Sequence, residues 1–275
     1  MSRAPAHTLA ARRLSLSAAT LAFSVLADSS VEHYRGSFQN RTMYAALGVA
    51  ALTLGVSLAG LSDSRPKRRI REAVYALSGA TGLTGLALHA YNVAKRPGGW
   101  SWLNLFYGAP IGAPVALTLA GILGWSAERV RRTPPGTQAR LLGRPAGKTL
   151  AAIGAAGLAG TVAEAGLMHF RGAYHDPAMV LPVAVPPVAA ALLGASARAP
   201  HSRLSRLARW WLRLTAALGF AGVGFHAYGI SRNMGGFRNW SQNVLNGPPL
   251  PAPPSFTGLA LAGLAALALI EGEPR

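Results

Sequence analysis

Eight apolar runs, each close to 20 residues long, leave this chain few ways to fold. About 20 apolar residues in a helix match the hydrocarbon thickness of a bilayer. A chain in lipid must also satisfy every backbone N–H and C=O internally, so a run of this length reads as a membrane helix. The runs fall near 14–32, 43–62, 73–94, 110–127, 149–168, 178–197, 208–230 and 254–271. Only 13% of residues are charged, where soluble domains carry about 25%, and 51% are hydrophobic. The expected fold class is an all-α integral membrane protein of eight transmembrane helices. Pro110 and Pro114 fall at the start of the fourth run, where a missing N–H is tolerated. Pro182, Pro186 and Pro187 predict a kink in the sixth.

The runs are not independent. His89-Ala90-Tyr91 continues to Gly98-Gly99-Trp100, and His226-Ala227-Tyr228 continues to Gly235-Gly236-Phe237. His33-Tyr34-Arg35-Gly36 is matched by His169-Phe170-Arg171-Gly172 at an offset of 136 residues. Trp102, Gly108 and Ala113-Pro114 find counterparts in Trp240, Gly247 and Ala252-Pro253. The chain therefore reads as two copies of one unit: a first four-helix repeat over 1–127, a basic linker over 128–148, and a second repeat over 149–275. Taken alone, the first run resembles a cleavable signal peptide, with Arg12 and Arg13 before it and Val25-Leu26-Ala27 within it. Its match to the internal run 149–168 predicts a retained helix instead.

Charge sets the orientation. Of the 27 Lys and Arg, only Arg35, Arg41, Lys95, Arg96, Arg171, Arg232 and Arg238 fall in loops on one side; the rest lie at the termini and in 63–72, 128–148 and 198–213. The positive-inside rule then places both termini in the cytoplasm of a bacterial inner membrane. An even number of crossings per copy makes the repeats parallel. The net charge of +18 is accounted for by this placement, so no nucleic-acid partner is expected. The absence of cysteine rules out disulfides, thiolate-held iron–sulfur clusters and covalently attached c-type haem.

Four of the seven histidines recur between copies: His33 with His169, and His89 with His226. All four are expected near the outer end of the bundle. Ionisable residues in membrane helices are costly and tend to be functional, and two neutral imidazoles from different helices can hold a b-type haem from both faces. Gly82 and Gly85 precede His89 by seven and four residues, and Gly219 and Gly222 precede His226 by the same spacings. Each set shares a helix face with its histidine and offers a groove for a flat macrocycle, or a close helix contact. Arg35, Lys95, Arg171 and Arg232 recur near the same depth, where haem propionates would want cations. Asp28 and Glu164, five residues before His33 and His169, are candidates for orienting imidazoles or accepting protons.

Nucleotide-loop, zincin and nucleophile-triad motifs are missing from the sequence. The functional expectation is a membrane electron-transfer subunit of cytochrome-b type. It would hold two haems b through His33, His89, His169 and His226, with quinone as a possible cofactor. It would pass electrons between quinone and a periplasmic oxidoreductase or carrier docked on loops 95–110 and 231–254, the lipid bilayer being its medium. The alternative is a transporter or channel-like protein that uses the histidines and carboxylates to bind protons or ions.

Overall fold

The apolar runs become helices, joined by short turns. A computed structural model describes residues 6–62, 68–134, 136–199 and 202–272. The first four long helices are α1 (Ala6–Arg35), α2 (Met43–Ala59), α3 (Arg68–Ala94) and α5 (Gly112–Arg131), with the short α4 (Trp102–Tyr107) before α5. The next four are α6 (Ala146–Arg171), α7 (Leu181–Ser196), α8 (Arg203–Arg232) and α10 (Pro254–Gly272), with the short α9 (Trp240–Asn243) before α10. Arg65 and Lys67 of the basic cluster, Arg3 and His201 lie outside the described residues. The expected polar linker is partly ordered: strands β1 (Arg140–Leu141) and β2 (Arg144–Pro145) pair antiparallel. Leu142 and Gly143 turn between them at φ 50 and 78, the left-handed pair that suits a two-residue hairpin.

Five helices are long and apolar enough to cross a membrane: α1, α2 with its following 3-10 turn, α6, α7 with its preceding 3-10 turn, and α10. The expectation was eight. The three that fall short, α3, α5 and α8, carry charge within the helix. Arg68, Arg69 and Arg71 open α3, Glu128, Arg129 and Arg131 close α5, and Arg203, Arg206, Arg209 and Arg213 run through the first turns of α8. Part of that charge is neutralised between helices. Arg71 donates from Nε and Nη2 to the two Glu128 oxygens at 3.0 and 2.9 Å, and Arg209 pairs with Glu271. Each pair ties a third long helix to a fourth at the end of the bundle away from the histidines. Pro186 and Pro187 sit inside α7, which continues past them to Ser196.

Long-helix contacts take the same form in both parts of the chain. α1 packs on α2 and α5, and α3 on α5; α6 packs on α7 and α10, and α8 on α10. The α1–α10 contact joins the two parts through Ser17 Oγ to Gly258 O, Ser24 Oγ to Pro251 O and Arg13 Nη1 to Leu264 O. The first helix is thus built into the core. By contrast α5 and α6 meet far less.

Small residues let the helices approach. A Cβ on Gly82 would lie 2.6 Å from the Pro114 carbonyl oxygen and would strike the Thr118 hydroxyl, both on α5. On Gly219 it would lie 2.9 Å from the Pro253 carbonyl oxygen and would strike the Thr257 hydroxyl. Gly85 and Gly222 face the Pro114 and Pro253 rings. The groove expected beneath His89 and His226 is therefore closed by the neighbouring helix, and these four glycines serve close helix packing. Gly82→Ala is expected to lower stability by about 1–3 kcal/mol through overpacking. Gly48→Ala, where nothing lies within 4 Å, should leave stability unchanged or slightly higher. Thermal unfolding in detergent compares the two.

Candidate functional site

Each repeated histidine closes the end of its helix onto the start of the next long one. His89 Nδ1 bonds the Pro110 carbonyl, two residues before α5. His169 Nδ1 lies 2.7 Å from the Met179 carbonyl, just before α7. His226 Nδ1 lies 2.8 Å from the Pro249 carbonyl, in the turn before α10. The Nδ1 of His33 is buried without a well-aligned hydrogen bond and faces the backbone of Met43, the first residue of α2. A carbonyl can only accept, so in the three bonded rings Nδ1 carries a proton, which in a neutral imidazole leaves the lone pair on Nε2. That is the tautomer a metal-ligating histidine adopts when a backbone carbonyl orients it. No Nε2 of the four takes a hydrogen bond among the described residues, and all four rings are half-buried.

The turns that follow are shaped alike. Ser37 and Phe38 take φ of 54 and 45, and Ala173 and Tyr174 take 55 and 47. A left-handed conformation at consecutive non-glycine residues is rare and needs support from its surroundings. Here it folds each chain back so that the Phe38 and Tyr174 amides donate to the His33 and His169 carbonyls at 3.0 and 3.1 Å. It also sets an aromatic ring edge-on to each histidine, Phe38 at 6.2 Å and Tyr174 at 6.0 Å between centroids. Beyond α3 and α8, Asn104 and Asn243 each tie down a glycine-rich loop: one amide binds Pro97 O and Gly99 O, the other Met234 O and Gly236 O.

The histidines come together in two pairs. The His169 and His226 rings are 6.5 Å apart and inclined at 71°. His33 and His89 are within electrostatic reach of each other. α1 and α3 both pack on α2 and α5, and α6 and α8 both pack on α7 and α10, which brings histidines of the same part of the chain together.

The other predicted residues take different places. Among the described residues Asp28 and Glu164 accept from no imidazole, a role that backbone carbonyls fill instead. Glu164 sets its carboxylate against Gly112, the first residue of α5, where the helix dipole favours an anion, and lies within electrostatic reach of Asp28. Arg35 pairs with Glu32 at 2.7 Å, while Arg171 lies over the Phe106 and Tyr107 rings of α4 at 5.6 and 5.4 Å. Lys95 and Arg232 lie over Tyr91 and Tyr228, one helical turn away.

Sequence reading passed over Glu128, Asn104, Asn243 and the carbonyls that hold the histidines. Two signals were available. Met43 and Met179 keep the 136-residue offset of their histidines, and Asn104 and Asn243 keep the 139-residue offset of Pro114 and Pro253. The fold and site define an all-helical protein with helices able to cross a membrane and two histidine pairs at one end. No protein-family model, curated protein or solved structure matches the chain.

Proposed function

We propose that this is a multi-pass membrane protein of eight crossings, in which each histidine pair holds a b-type haem. It is read as two parallel four-helix units with both ends on the cytoplasmic side of a bacterial inner membrane. It would pass electrons between quinone and an oxidoreductase or carrier docked on the outer loops. The matched contacts, turns and asparagine clamps support the duplication. The exposed Trp100, Trp102, Tyr107, Phe237 and Trp240 suit an interfacial or docking surface.

The observation that carries the reading is the His169–His226 pair. His169 and His226 would hold the metal ion through Nε2, whose bond to a metal is about 2.0 Å long. The rings here stand at 6.5 Å, with Nδ1 tied to main chain in both and Nε2 without a partner. The donor set fits a haem iron, whose chemistry is one-electron exchange. Expression with ample haem, followed by absorption spectroscopy of the purified protein, is expected to give a Soret band and a pyridine haemochrome. No chromophore under those conditions defeats the proposal.

A second reading has one observation in its favour. Asp28 on α1 and Glu164 on α6 lie within electrostatic reach of each other, and a proton or ion site on a transport path would use such a pair. Liposome flux that needs either carboxylate, from a protein without chromophore, would select it.

A further inference from the structure

Arg35 and Arg171 occupy matching positions but have different surroundings. Arg171 is covered by two rings of the chain itself, Phe106 and Tyr107, and Phe106 is held edge-on by Phe170 at 5.9 Å. At the 139-residue offset, the residues that should cover Arg35 are Leu245 and Asn246. The loop carrying them is clamped by Asn243 just as Asn104 clamps its counterpart, so the backbone is in place and the two rings are missing. In their stead is an open cleft of about 830 Å³ between Arg35, Tyr34, Phe38 and Tyr44 on one side and Leu245 and Asn246 on the other. That volume is within the range of about 300–1,000 Å³ common for ligand sites.

We propose that this cleft binds the headgroup of a quinone: a planar, uncharged ring with carbonyl oxygens at its edge. Planarity follows from the walls. Phe38 and Tyr44 are stacked at 4.3 Å and 4°, Tyr44 is 55% and Tyr34 56% exposed, and a guanidinium plane stacks well on a ring. Neutrality follows from Glu32, whose carboxylate lies 2.7 Å from Arg35 and cancels its charge. The closed copy has Met168 at that position. An anion, such as a lipid phosphate, would gain little beside Glu32. Carbonyl oxygens suit the rim, where Arg35, the Asn246 amide and the tyrosine hydroxyls can donate. Phe38 also packs edge-on against His33 at 6.2 Å, so a ring laid on Tyr44 is joined to the first histidine pair through the two rings of this stack. The choice of a quinone rests on the electron-transfer reading; the ring site rests on the missing pair of side chains.

The test titrates the full chain, purified in detergent, with a decyl-substituted benzoquinone and follows quenching of intrinsic fluorescence. Saturable binding at one site per chain is expected. Arg35→Ala, a substitution at the surface, should weaken it at least tenfold. Leu245→Phe with Asn246→Tyr, which restores the rings of the closed copy, should do the same. Absence of saturable binding in the unmodified chain, or unchanged binding in either variant, overturns the inference. Haem content measured on the same samples separates the two proposals: haem without quinone binding removes this one alone, and quinone binding without haem removes the electron-transfer reading alone.

Discussion

Replacing His226 by alanine is expected to halve the haem bound per chain, and replacing both His169 and His226 to remove no more than that. The two rings stand 6.5 Å apart and would share one iron, so the second substitution acts on a site already lost. His33→Ala with His169→Ala takes one ligand from each pair and should leave no haem. Pyridine haemochrome per mole of chain reads the series. Loss of all haem in the His169/His226 double variant would mean that the ligands pair across the repeats, and would sink the within-repeat assignment. The orientation of the imidazoles should survive side-chain changes nearby, because main-chain carbonyls at Pro110, Met179 and Pro249 hold them. Asp28→Asn and Glu164→Gln are therefore expected to retain full haem content.

Glu128→Ala should cost about 3–5 kcal/mol, the range for taking one partner from a buried ion pair. Glu128 is fully buried and Arg71 is 2% exposed. Both carboxylate oxygens accept from Arg71, and Arg131 adds a third donor at 3.2 Å. Removing the carboxylate takes away the charge that these two guanidinium groups share in an apolar setting. Glu271→Ala at the equivalent end of α10 gives the contrast, since the Arg209–Glu271 pair is a third and a fifth exposed and is worth at most about 1 kcal/mol. Substituting Arg71 by Met and Glu128 by Leu together should recover most of the loss, because an apolar pair avoids the desolvation cost altogether. Thermal unfolding in detergent, followed by circular dichroism, ranks the variants. Equal stability of the Glu128 and Glu271 variants would disprove the buried clamp.

The helices were legible because each reports on itself: a run of apolar residues of fixed length signals a helix without reference to any partner. Their ends were less so. α3 is helical from Arg68 and α8 from Arg203, before the apolar runs start, where Arg71 and Arg209 are received by Glu128 and Glu271 on neighbouring helices. Gly82 and Gly219 show the limit from another direction. Their spacing from a histidine marks one face of a helix, and both a macrocycle and a second helix would use that face. Only the position of Pro114 and Pro253 distinguishes the two.

By itself the sequence determined the helical class and pointed to a duplication and to four histidines, readings that follow from local spacing or from comparison of one half of the chain with the other. The tertiary structure alone decided which histidines meet, which ring nitrogen is engaged, and which of two matched arginines lies open. Those outcomes depend on contacts between residues such as His226 and Pro249 or Arg171 and Phe106, brought together by the turns and by helix packing. No periodicity encodes such contacts. Two copies with nearly the same pattern could therefore diverge at Phe106-Tyr107 and Leu245-Asn246, one closing over its arginine and the other leaving a cleft beside it.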